Sequence, residues 1–135
     1  MNDADLTRLL TESKNIAVVG LSDNPARASY GVARFLQRQG FRVIPVNPRL
    51  TELLGEKCYG RVQEIPEQVD IVDIFRRSEF VGEVVADALH KHPRCIWMQE
   101  GVEHFDAAQT AQAAGVAVVM NRCILKELAR LLPRF

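Results

Sequence analysis

The chain has no charge imbalance: across 135 residues, 17 Lys and Arg stand against 17 Asp and Glu, for a formal net charge of zero. A nucleic-acid binder carries a surplus of basic residues to displace counterions, so the balance argues against that class and leaves room only for a local basic patch. No apolar run is long enough to span a bilayer. The start, Met1-Asn2-Asp3-Ala4-Asp5, lacks the basic and apolar stretches of a secretory signal. Cysteine is scarce: Cys58, Cys95 and Cys123 are three, widely spaced, with no C-x-x-C. That argues against a disulfide framework or zinc site and for reduced thiols in a cytoplasmic protein. Repeats, low-complexity tracts and linkers are absent, so one domain over residues 1–135 is expected. Also missing are a G-x-x-x-x-G-K-[ST] loop, a Ser/His/Asp grouping and any metal-ligand spacing, so no catalytic or metal residue is predicted.

What the chain does contain is strand–helix alternation. Short β-branched runs at 15–20, 41–46, 71–75, 94–98 and 116–120 read as buried strands. Between them lie amphipathic stretches. Val32, Phe35 and Leu36 share one face before Gly40; Val81, Val84, Val85, Ala88 and Leu89 follow helical spacing after a capping Ser78; Phe105, Ala108 and Ala111 precede Gly115. Leu6, Leu9 and Leu10 mark an opening helix, and Leu125, Leu128, Ala129 and Leu132 a closing one. Pro45 removes a ladder donor, so the second strand should end near it. Residues 49–69 are less regular, with turns at Leu53-Leu54-Gly55 and Glu64-Ile65-Pro66. The expected fold is α/β: a single Rossmann-like, doubly wound parallel sheet of about five strands with helices on both faces. Ligands of such sheets bind outside the carboxyl ends of the strands.

Those strand ends are therefore the candidate site. The first ends at Gly20-Leu21-Ser22 and runs on through Arg27, Ser29 and Tyr30. It occupies the Rossmann phosphate position without G-x-G-x-x-G. Gly20 permits a tight turn, a helix start near Ser29 offers free N–H groups, the two serines add hydroxyls and Arg27 adds charge. The plainer reading is a βα loop with Ser29 as N-cap. The second strand ends at Asn47-Pro48-Arg49, where an NAD-binding domain usually has an acid for the ribose diol. The plainer reading there is an Asn-Pro turn. The third ends at Phe75-Arg76-Arg77, suited to phosphate oxygens or simply solvated. Asp73, inside that apolar strand, is a costly charge that needs a partner. The fourth ends at Gln99-Glu100-Gly101, after a Trp97 expected in the core. The fifth ends at Asn121-Arg122-Cys123, with Cys123 at a helix start, either activated or a buried inert thiol. His90, His92 and His104 are expected in surface or capping roles.

In order along the chain, Val19-Gly-Leu-Ser22, Arg27-Ala-Ser-Tyr30, Pro45-Val-Asn-Pro48, Gly55-Glu-Lys-Cys-Tyr59, the run 69–77, Trp97-Met-Gln-Glu-Gly101 and Val119-Met-Asn-Arg-Cys123 resemble the stand-alone CoA-binding domain family. That family is similar to the N-terminal CoA-binding domain of the succinyl-CoA synthetase α subunit. The resemblance covers nearly the whole chain. It implies that CoA or an acyl-CoA lies across the strand ends. Gly20, Leu21, Ser22, Arg27, Ser29 and Tyr30 would stand on the phosphate side. Asn47, Pro48 and Arg49 would face the nucleotide, flanked by Phe75, Arg76 and Arg77. Gln99, Glu100 and Gly101 would border the pantetheine arm. The synthetase's phosphorylated histidine belongs to a further domain not expected here, so the resemblance implies a non-catalytic binder, carrier or sensor. The other readings are a CoA-dependent acyl-transfer or thiol enzyme using Cys123, and an NAD(P)-binding redox regulator. Neither nucleic acid nor membrane is expected as a partner. A protein partner or a second copy of the chain is left open.

Overall fold

The structure is a computed structural model and describes residues 1–132. Its strands, in chain order, are β1 (Asn15–Val19), β2 (Arg42–Val46), β3 (Glu52–Leu53), β4 (Glu56–Lys57), β5 (Ile71–Ile74), β6 (Cys95–Met98) and β7 (Ala117–Val119). Five of them form the central sheet, in the order β2-β1-β5-β6-β7. Every neighbouring pair in it is parallel. Each of these five lies within the apolar run that marks it in the sequence. Pro45 is tolerated one residue before the end of β2 because β2 is the sheet's edge, and the loss of its N–H breaks no inner ladder.

The strands are apolar on both faces because helices cover both. On one side Ile16, Val18, Val43, Ile71, Cys95 and Trp97 pack with α1 (Asp3–Glu12), α2 (Ala28–Arg38) and α5 (Ile124–Leu131). On the other, Ala17, Val19, Ile44, Val72, Ile74, Ile96 and Met98 pack with α3 (Val81–Ala88) and α4 (Phe105–Ala113). Burying a large side chain such as Trp97 or Ile16 in this way stabilises the fold by about 1.5–3 kcal/mol each. Trp97 also satisfies its indole, whose Nε1 donates to the Arg122 carbonyl at 2.8 Å.

The turn expected at Leu53-Leu54-Gly55 is present, and two helix-cap expectations are corrected. The irregular segment contains a two-stranded hairpin, β3 with β4, turned at Leu54 and Gly55, both at positive φ. A 3-10 turn, Val62–Glu64, follows it. Ser78 does not cap α3. A 3-10 turn over Ser78–Phe80 precedes that helix, and the Ser78 hydroxyl instead accepts from the Glu103 N–H at 3.0 Å. Ser29 is not an N-cap either: α2 is capped by Arg27, with no side-chain capping bond.

Asp73 is fully buried in β5, in register with Val18 and Trp97, and both carboxylate oxygens are without a hydrogen-bond partner among the described residues. Desolvation pushes its carboxyl well above the usual range, because burial disfavours the charged form. The partner that a charge in this position needs is therefore absent among those residues. Burial likewise pushes the Cys95 thiol up to about 12.

Candidate functional site

The sheet order reverses direction between β1 and β5, since the chain moves from β1 outward to β2 and then returns to the other side. At that switch point, on the carboxyl side, opens a cleft of about 990 Å³. Its floor is the ends of three strands: Val19 and Gly20, Val46 to Arg49, and Phe75 to Arg77. Arg27 closes one side. The other wall is made of Gly60, Arg61 and Gln63 together with Glu83, Asp87 and His90 of α3 and its end.

Gly20 is required at its position. Its φ is +82°, and a Cβ there would meet the Phe75 carbonyl oxygen at 2.4 Å. The glycine therefore lets the ends of β1 and β5 close on one another, a more immediate need than approach of a phosphate. The loop beyond it is stapled by its own polar groups. The Ser22 N–H donates to Ser29 Oγ at 3.0 Å, the Asn24 N–H to Ser22 Oγ at 3.0 Å, and the Ala26 N–H to Asn24 Oδ1 at 3.0 Å. The serines thus shape the loop, and neither they nor buried Leu21 nor Tyr30 line the cleft. Asn47 joins the first two strand ends: its Nδ2 donates to the Leu21 carbonyl at 2.9 Å and its Oδ1 accepts from the Arg49 N–H at 2.9 Å. An acid in that place would lack the amide donor needed for the first bond.

The cleft is cationic. Arg27, Arg49, Arg61, Arg76 and Arg77 line it against Glu83 and Asp87. Arg61 and Arg77 have loose exposed partners, Glu64 at 3.6 Å and Glu79 at 3.9 Å. Among the described residues, Arg27, Arg49 and Arg76 have no carboxylate within ion-pair distance. Arg76 lies over the Phe80 ring at 4.8 Å, which fixes its guanidinium without neutralising it. Unpaired guanidiniums over low-dielectric strand ends are a phosphate-binding arrangement.

The predicted residues therefore divide. Gly20, Arg27, Asn47, Pro48, Arg49, Phe75, Arg76 and Arg77 meet in one cleft. Gln99, Glu100 and Gly101 stand apart from it. The Gln99 Oε1 is buried and accepts from the Ile124 N–H at 3.0 Å, Glu100 pairs with Lys126 at 3.0 Å, and the Gly101 N–H donates to Asn121 Oδ1 at 2.7 Å. Cys123, the N-cap of α5, is half-buried and outside the cleft. His104 has its expected capping role, accepting the Ala107 N–H at Nδ1. His90, expected in a surface or capping role, is exposed and stands at the wall of the cleft. Gly60, Arg61, Gln63, Glu83 and Asp87 join the site without having been predicted for it. Only the helical spacing of 83, 87 and 90 carries a signal for part of them. Among the described residues no group of three His, Cys, Asp or Glu is placed to hold a metal, and no helix is long and apolar enough to cross a membrane.

A doubly wound parallel sheet with a cationic cleft at its switch point defines a Rossmann-like α/β domain of the ligand-binding kind. The chain belongs to the CoA binding domain family, whose model matches residues 14–129. It is 40% identical over 121 residues to the uncharacterized protein YneT of Bacillus subtilis, covering 90% of each chain. It is 38% identical over 79 residues to the alpha subunit of the ADP-forming acetate–CoA ligase II of Pyrococcus furiosus. That match covers 58% of this chain and 17% of the subunit. Among solved structures, a hypothetical protein from Pyrococcus horikoshii superposes with a TM-score of 0.95 at 38% identity, covering 98% of this chain and 93% of that one.

Proposed function

We propose that the protein binds CoA or an acyl-CoA with the nucleotide end in the switch-point cleft, and that it acts as a binding, carrier or sensor protein. The observation that carries the ligand class is the match of residues 14–129 to the CoA binding domain family. The ligase subunit of P. furiosus that contains a similar segment is named for an activity on CoA, which supports the same class. The physical support is the trio of Arg27, Arg49 and Arg76 facing one cleft, none with a carboxylate at ion-pair distance among the described residues. A polyanion with a pyrophosphate matches that charge. The stapled loop after Gly20 and the bonds of Asn47 hold the backbones of Arg27 and Arg49 in place before any ligand arrives, which lowers the ordering cost of binding. Thiol chemistry at Cys123 finds no support in this geometry, because that side chain lies outside the cleft.

Thermal unfolding with CoA, acetyl-CoA and NAD tests the reading. A ligand at about 100 times its Kd contributes roughly 2.7 kcal/mol of stability. The expected outcome is a rise of several degrees in Tm with CoA or acetyl-CoA and none with NAD. No shift with any CoA species, measured also by calorimetry, overturns the reading.

A further inference from the structure

We infer that Arg61 reads the ribose 3′-phosphate of CoA and that Asp87 positions it; this rests on the CoA reading above and names a binding group for it. The starting point is Tyr59. It forms a single parallel bridge with Val46, at the end of β2. Its N–H donates to the Pro45 carbonyl at 3.0 Å, and its carbonyl accepts from the Asn47 N–H at 2.9 Å. Tyr59 thus behaves as a one-residue strand added parallel to the sheet's edge. The chain leaving it emerges on the same side as the ends of β1, β2 and β5. Residues 60–63 are by topology one more strand-end loop, and Gly60, Arg61 and Gln63 line the cleft accordingly.

That loop is pinned from two directions. From α3, the Asp87 carboxylate accepts the Val62 N–H at 2.7 Å and the Gln63 N–H at 3.0 Å. From its own turn, Glu64 Oε1 accepts the Gly60 N–H at 3.2 Å. The backbone of Arg61 is held between these clamps while its side chain stays 62% exposed at the cleft edge. Its pairing with Glu64, at 3.6 Å between groups 62% and 47% exposed, is too loose and solvated to compete with a phosphate dianion.

Position supplies the chemical class. From β5 through β1 and β2 to Tyr59 is three strand spacings, roughly 14 Å. Arg76 and Arg77 stand at one end of that span, Arg27 follows β1, and Arg61 stands at the far end with Arg49 between. Cations spread over such a span suit a nucleotide whose phosphates fall into two groups separated by a ribose. A pyrophosphate over Gly20, Arg27 and Arg76 leaves a separate monophosphate to reach Arg61. A dinucleotide bearing a pyrophosphate alone has nothing to offer Arg61.

The test is isothermal calorimetry with CoA and with 3′-dephospho-CoA on the wild type, Arg61→Ala, Arg61→Lys, Asp87→Asn and the Arg61→Ala/Asp87→Asn pair. Removing a charge-assisted hydrogen bond at an exposed position is expected to weaken binding about ten-fold. The wild type is expected to prefer CoA by about that factor. Arg61→Ala should bring the preference near one by weakening CoA alone, and Arg61→Lys should restore part of it. Asp87→Asn should lower the same preference and add little to Arg61→Ala, which a general loss of stability would not do. If Asp87→Asn fails to fold, the two Arg61 variants decide, because that side chain is exposed. Equal losses for both ligands, an intact preference in Arg61→Ala, or no preference in the wild type overturns the inference. A wild type that binds neither ligand instead overturns the CoA reading itself.

Discussion

The carboxyl edge of the sheet has two halves built from the same kind of strand-end loop, yet they treat their polar groups in opposite ways. On the β6–β7 half the groups satisfy each other: Glu100 with Lys126, Arg122 with Glu127 at 3.1 Å, Gln99 with the Ile124 N–H and Gly101 with Asn121. On the β2–β1–β5 half, hydrogen bonds hold the backbone while Arg27, Arg49 and Arg76 have no ion-pair partner among the described residues. The difference teaches how to find the ligand-facing half of a symmetric-looking edge. Strand ends alone do not distinguish the halves; unpaired charge over a rigid backbone does.

The two halves part most sharply at their glycines. Gly20→Val forces a Cβ to 2.4 Å from the Phe75 carbonyl at a φ of +82°, and should destabilise by about 3 kcal/mol or more. Gly101→Ala keeps a similar φ of +83° with open space around it, and should cost only about 1 kcal/mol. Urea unfolding of both variants measures the gap, and equal losses would remove the claim that the first half is the tightly built one.

The next effect belongs to Asp73, on β5, the strand through which the cationic half adjoins β6. Its carboxyl is raised in the folded protein, so the native state keeps a proton that the unfolded chain gives up above about pH 4. Stability is therefore highest at low pH with respect to this group and declines as pH rises toward its folded pKa, by up to about 1.4 kcal/mol per unit. Asp73→Asn should flatten that slope and gain on the wild type as pH rises above about 4. Parallel pH profiles in denaturant titrations would refute this.

Smaller still is the direct charge comparison. Arg76→Ala should weaken CoA about ten-fold, while Lys126→Ala, on the self-paired half, should leave affinity within about two-fold. Equal effects would erase the distinction between the halves.

The sheet is legible in the sequence because its strands are buried on both faces. Ile16 to Val19 or Ile71 to Ile74 must then be continuous apolar runs, and such runs stand out. The arginines of the β1, β2 and β5 ends are legible because parallel topology dictates where strand ends go. The Gly60–Gln63 wall is not, since a one-residue bridge at Tyr59 has no periodicity to read. Nor is the true work of Ser29 or Ser78. Each looks like a cap from its spacing, but its hydroxyl is claimed by the Ser22 N–H across the loop or by the Glu103 N–H from another strand end, pairings that only the folded chain supplies. Gln99 looks available for a ligand for the same reason, whereas in the fold its oxygen serves the start of α5.

The Tyr59 bridge has a kinetic consequence. Two backbone hydrogen bonds attach that residue to the sheet edge, whereas β1 and β2 share five paired positions. Although the loop beyond it is clamped, the bridge itself needs fewer bonds broken to part from the edge than β1 needs to leave its neighbours. The Tyr59 and Asn47 amides are therefore expected to exchange with solvent sooner than those of β1, and a ligand in the cleft is expected to slow that exchange.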